Sequence, residues 1–108
     1  RLKKLRDDCG YDAFKIRVGS EYGHDVDEWP GRTEGIIGAM NAAFGGEATL
    51  LADANSCFTP KRAIEVGRML EDNGFSHYEE PCPYWELDWT KEVTDALDID
   101  VTGAAWHR

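Results

Sequence analysis

The sequence predicts an α/β fold built on parallel strands, and three observations carry that prediction. Strand-like segments alternate four times with segments of helical period. No two-residue hairpin turn joins one strand segment to the next, so each connection has room for a crossover helix. Asp53 and Glu79, which end successive strand segments, are 26 residues apart, close to the roughly 31 residues of one βα unit in an eight-unit barrel. Two architectures satisfy this pattern at this stage: a stretch of (β/α)8 barrel and a small doubly wound sheet.

Leu2 and Leu5 lie at helical spacing in Arg1 to Cys9, and Gly10 closes that helix. Asp12 to Val18 alternates polar with apolar residues until Gly19 stops it, as a half-buried strand does. Ser20 to Arg32 is a long polar loop. From Thr33 on, Ile36, Ile37, Met40, Ala43 and Phe44 form one apolar helix face that ends at Gly45-Gly46. Ala48 to Ala52 is a short apolar run of the kind found in strands covered on both faces, and it exits at Asp53-Ala54-Asn55-Ser56.

Thr59-Pro60 starts the next helix, with Thr59 expected to cap it through its side chain and Pro60 at the first helical position. Ala63, Val66, Gly67 and Leu70 are its buried stripe, and Asn73-Gly74 ends it. Phe75 to Tyr78 is a third strand delivering Glu79-Glu80-Pro81. Trp89, Val93 and Leu97 mark a helix near Asp88 to Leu97, followed by a strand near Asp100 to Thr102.

At 108 residues the chain has the length of one domain, and its 42% hydrophobic content can supply a core. Its 12 Lys+Arg against 21 Asp+Glu give a net charge of −9, which repels phosphate backbones and anionic lipid heads. No apolar run approaches the roughly 20 residues of a membrane span. Neither nucleic acid nor a membrane is therefore expected as a partner. Cys9, Cys57 and Cys82 have neither disulfide-framework nor zinc spacing, which points to a reducing, cytoplasmic setting. The chain opens in mid-helix at Arg1, so residues 1–108 are expected to be one partial domain cut from something longer.

Polar side chains gather where the strands end, the place at which parallel α/β folds bind ligands. Lys15 and Arg17 are two apart and point to one face of the first strand. Asp53 follows an apolar run, where an ionised carboxylate is costly without a partner or a metal. With Glu79 it places two carboxylates at adjacent strand mouths, a donor type that suits Mg²⁺. His24 reads as a solvated loop residue, Cys57 as a thiol without a His partner, and Trp85 and Trp89 as packing after the third strand. His77 is expected on the side of its strand away from the site, under a helix.

Phe14-Lys15-Ile16-Arg17-Val18-Gly19, Leu51-Ala52-Asp53-Ala54-Asn55 and Tyr78-Glu79-Glu80-Pro81, in that order, resemble the enolase superfamily in its mandelate racemase/muconate lactonizing enzyme branch. The resemblance runs over nearly the whole chain to about Gly103. It implies a (β/α)8 TIM barrel behind an N-terminal capping domain, of which this chain holds about four consecutive αβ units and lacks the second half. It also implies Mg²⁺ held by acidic residues on three consecutive strands, with Asp53 and Glu79 matching the first two ligands and Asn55 a polar residue near the substrate. The implied reaction is abstraction of the proton α to a carboxylate, chemistry for which enolase-superfamily sites are themselves the standing example. The implied substrate is a small carboxylate such as a sugar acid, and the implied enzyme an acid-sugar dehydratase (a lyase) or a racemase.

The departures from the family pattern are specific. Lys15 matches the first lysine of a Lys-x-Lys pair, but Arg17 stands where the second, usually the base, would be. A guanidinium stays protonated, so Arg17 is expected to bind substrate oxygen or stabilise charge, which favours dehydration over racemisation. The place of the third ligand falls on Ala105, and His107 reads as a terminal residue rather than a substitute. With two of three ligands, the chain alone is expected to be inactive.

Two other classes fit less of the chain. A receiver-like signalling module would use Asp53 as phosphoacceptor, but the acidic pair it needs at the first strand exit is replaced by Lys15-Ile16-Arg17-Val18. A non-catalytic assembly unit would use the edge strands near Ala13 to Val18 and Asp100 to Thr102, which predicts self-association through open barrel edges.

Overall fold

The structure, a computed structural model, describes residues 13–102. The helix expected over Arg1 to Cys9 lies outside the described residues, as do Ala105 and His107. Within them the elements are β1 (Ala13–Arg17), α1 (Arg32–Phe44), β2 (Thr49–Asp53), α2 (Pro60–Asp72), β3 (Phe75–Glu79), α3 (Leu87–Ala96) and β4 (Asp100–Thr102). Each lies within a residue or two of its expected place, because the breakers Gly19, Gly45 and Gly74 stand where the apolar period changes.

The four strands form one parallel sheet in the order β1-β2-β3-β4. That order decides between the two architectures. A doubly wound sheet reverses its strand order and takes helices on both faces. Here the order never reverses, and the buried strand residues Ile16, Leu50, Ala52 and Tyr78 join the buried helix residues in one cluster on one face. Lys15, Arg17, Asp53, His77 and Glu79 stand on the other face, partly or wholly exposed. The expectation that β2 is covered on both faces does not hold among the described residues: Leu50 and Ala52 are buried, but Leu51 is only half-buried on the face that carries Asp53.

The core ties sheet to helices with directional contacts as well as area. Tyr78 is fully buried, and its hydroxyl donates to the Ala63 carbonyl at 3.0 Å, joining β3 to α2. The rings of Phe14 and Phe44 stack 4.5 Å apart between β1 and α1.

Loop anchoring departs from the sequence expectation at one point. Thr59 makes no side-chain cap to α2; instead its amide and its hydroxyl both donate to the Asp25 carboxylate, at 2.6 and 2.8 Å. The partner lies 34 residues away, so a local reading of Thr-Pro could not find it. Asp27 performs the matching task for α1, accepting the Thr33 amide at 2.7 Å.

Cys57 and Cys82 are free and buried, and burial pushes both thiols up, Cys82 to about 12. An unfolded thiol ionises near 9.0, so between that value and about 12 the unfolded chain releases protons that the folded chain keeps. This contribution to stability is therefore intact below the window and is lost as pH rises through it. Urea midpoints should fall from about pH 9 upward, and the fall should be shallower in Cys82→Ala. Parallel curves for the two proteins would refute this.

Candidate active site at the strand mouths

The sheet register builds the site. Arg17, Asp53, Glu79 and Thr102 are successive partners across the four strands, and Lys15, Leu51, His77 and Asp100 form the layer below. Lys15 Nζ lies 3.5 Å from Glu79 Oε1 and 3.9 Å from Asp53 Oδ2. Two carboxylates thus share one ammonium, leaving one negative charge in excess. The carboxylate side chains are 17% and 22% exposed against 52% for Lys15, so the acidic groups are the better shielded members of the trio.

Local backbone chemistry orients Asp53. The Asn55 amide donates to Asp53 Oδ1 at 2.9 Å, the short turn that an Asp two residues earlier favours. Beyond the strands the main chain continues to pair: Ala54 N donates to Glu79 O at 2.9 Å, and Glu80 N to Thr102 O at 2.7 Å. The mouths of β2, β3 and β4 are therefore tied to one another.

Arg17 is drawn elsewhere. Its Nη1 lies 3.8 Å from Glu28 Oε1, and Arg32 Nε lies 3.8 Å from the other oxygen of the same carboxylate. Arg32 Nη1 also donates to the Arg17 carbonyl at 2.7 Å. The structure brings Lys15, Asp53 and Glu79 together, with Asn55 beside them, and holds the Arg17 guanidinium toward the loop that follows β1. Glu28 carried no sequence signal, because nothing local distinguishes it from the other acidic loop residues.

Two expectations need correction. His77 shares the face of Glu79, two residues on, rather than packing under a helix; its Nδ1 is 2.7 Å from Ser76 Oγ and its Nε2 3.8 Å from Asp100 Oδ2. The period of two already required this. Trp85 lies outside the core: it is 59% exposed, stacks on Tyr22 at 6.2 Å and meets Tyr84 edge-on at 5.0 Å. With His24, Ser56 and Trp89 it borders a cavity of about 290 Å³ between the loops after β1, β2 and β3. Trp89 is the tryptophan that rests partly buried on the core.

Among the described residues no group of three His, Cys, Asp or Glu side chains is arranged to hold a metal, so Asp53 and Glu79 stand as a pair. Residues 1–105 match the family described as enolase C-terminal domain-like. The chain belongs to that family. Among enolase-family relatives, arabinonate dehydratase of Saccharolobus solfataricus is 27% identical over 109 residues, 94% of this chain and 27% of that protein. A crystal structure from Roseobacter denitrificans, provisionally assigned as a racemase, is 67% identical with a TM-score of 0.93, covering 95% of this chain and 28% of that one. A mandelate racemase/muconate lactonizing protein from Paracoccus denitrificans, complexed with magnesium, is 33% identical with a TM-score of 0.82 over 94% of this chain and 27% of its own. This member of the mandelate racemase/muconate lactonizing branch thus spans about a quarter of the length of the relatives it matches. Its four parallel strands are a partial (β/α)8 barrel. Family membership and the sequential strand order together leave no place for the receiver-like alternative.

Proposed function

We propose that this chain carries the first part of the active site of a Mg²⁺-dependent acid-sugar dehydratase, with Asp53 and Glu79 as metal ligands. One observation carries the proposal: the carboxylates of adjacent strand mouths converge on a single cation, the Lys15 ammonium. Their hard oxygens and their excess negative charge fit Mg²⁺, which uses one or two carboxylates and completes its shell with water or substrate oxygens. When bound there, Mg²⁺ supplies positive charge against the ene-diolate that forms when an α-proton leaves a carboxylate.

The chain's own residues have distinct tasks in this scheme. Lys15 screens the two carboxylates and donates to the substrate carboxylate. Arg17, a permanent cation with a rigid fork of donors, binds substrate oxygen rather than removing a proton. Asn55 contributes to the substrate side of the same mouth. The base that removes the proton comes from elsewhere in the barrel, so the chain by itself is inactive. β1 and β4 are the sheet edges among the described residues, and in this scheme they pair with further barrel strands, from the same polypeptide or a second copy. The buried free thiols of Cys57 and Cys82 fit a reducing, cytoplasmic setting.

Calorimetric titration with Mg²⁺ tests the proposal. Millimolar or tighter binding is expected, and an absence of binding overturns the metal assignment. Lys15→Met should bind Mg²⁺ about fivefold more tightly, because an ammonium some 4 Å from the shared oxygens opposes the metal by roughly 1 kcal/mol in a solvated site. An unchanged or weaker affinity in that variant would mean that the ammonium and the metal do not share a place.

A further inference from the structure

We propose that Ser56 and Glu80, neither of them among the assigned ligands, are positioning residues that clamp the mouths of β2 and β3 and so set the separation of Asp53 and Glu79. The proposal rests on the metal assignment above for its functional consequence, but its geometry stands apart from it. Asn55, Ser56 and Glu80 have φ of +47, +62 and +43°, a left-handed conformation that costs free energy in residues other than glycine. Such strain persists only where surrounding contacts hold it, and here the contacts connect Ser56 and Glu80 to each other. Ser56 N donates to the Glu80 carbonyl at 2.8 Å, and Ser56 Oγ donates to Glu80 Oε1 at 3.0 Å. Glu80 N in turn donates to Thr102 O at 2.7 Å.

Ser56 is 2% exposed, so its hydroxyl is poorly placed to exchange the Glu80 carboxylate for water. The clamp lies beside the candidate ligands in sequence and across them in space. Glu80 follows Glu79 directly, and Ser56 ends the turn in which the Asn55 amide holds Asp53 Oδ1. The two-point contact therefore fixes one carboxylate-bearing turn against the other. Groups that orient metal-binding side chains in this way change metal affinity without touching the metal.

Two measurements on the 108-residue chain test this. In metal-free protein, hydrogen exchange of the Asn55 amide reports how firmly Asp53 is held. Ser56→Ala and Glu80→Ala should each accelerate it by about tenfold or more while amides inside β2 and β3 keep their protection. Glu80→Gln, which retains an acceptor for Ser56 Oγ, should stay close to the parent. With Mn²⁺ as a paramagnetic probe, the two alanine variants should bind about 10–100-fold more weakly and show an altered electron paramagnetic resonance spectrum. The double variant should lose no more than either single one, since both remove the same contact. Unchanged Asn55 exchange in both alanine variants overturns the clamp. Faster exchange with unchanged Mn²⁺ affinity overturns its role in positioning the ligands. If the parent chain binds no Mn²⁺ while the exchange rates respond as expected, the metal assignment fails and the clamp stands.

Discussion

Asp53→Ala is expected to abolish Mg²⁺ binding, with a loss of more than about 100-fold, and Glu79→Ala to do the same. Removing groups that only orient metal ligands already costs about 10–100-fold, so removing one of two ligands lies beyond that range. The electrostatic change acts in the same direction. Either variant leaves one carboxylate facing the Lys15 ammonium, so the excess negative charge that attracts the cation is gone. Stability should move far less. Asp53→Ala loses the acceptor of the Asn55 amide, a contact of about 1 kcal/mol, and relieves the crowding of two like charges around one cation. Asp53→Asn separates the effects, because its amide oxygen can still receive the Asn55 amide while the charge is absent. Calorimetry and urea unfolding on the same samples provide the check. Mg²⁺ affinity within about threefold of the parent in Asp53→Ala would place the metal elsewhere.

Gly19→Val is expected to destabilise the fold by about 3 kcal/mol or more. Gly19 ends β1 with φ +66°, where a β-branched residue incurs roughly 1–2 kcal/mol of backbone strain. A Cβ at this position would also stand 2.6 Å from Cys57 Sγ and 3.0 Å from Phe58 Cζ, both in buried residues that cannot swing into solvent. Overpacking of that kind adds about 1–3 kcal/mol. The Gly19 amide donates to the buried Thr33 hydroxyl at 2.9 Å, so relief of the clash by backbone movement would break the tie between β1 and α1. Gly19→Ala should show most of the same loss. A change below about 1 kcal/mol in the urea-derived stability of Gly19→Val would show that the strand exit can relax around the side chain.

The helices were legible because burial on one face imposes a period on the chain. α2 is the clearest case: Ala63, Val66, Gly67 and Leu70, read as its stripe, are the four residues that the fold buries. Of the site, the trio of Lys15, Asp53 and Glu79 could be anticipated because strand alternation and the length of a βα unit place those positions on one face, with Asp53 and Glu79 at one level and Lys15 in the layer below. Thr59, read as a helix cap, instead donates to Asp25 across the loops, a contact that no window of neighbouring residues contains. Arg17 shares a strand face with Lys15, yet its guanidinium turns to Glu28, because the loop after β1 folds a carboxylate back over the sheet.

By itself, then, the sequence determined the order of the elements, the face on which each buries, and the carboxylates that end β2 and β3. These are consequences of local period and of where glycine and proline interrupt it, and both act over a few residues. The repeat pattern left a barrel segment and a doubly wound sheet both open; the strand-end motifs pointed to the barrel by resemblance, and the tertiary structure decided it, because strand order is a relation between units that the local pattern leaves free. The tertiary structure alone revealed the left-handed turns at Asn55, Ser56 and Glu80, the last two joined by hydrogen bonds spanning 24 residues. Those contacts join the exits of different strands, and for that reason they leave no trace in the local pattern of the chain.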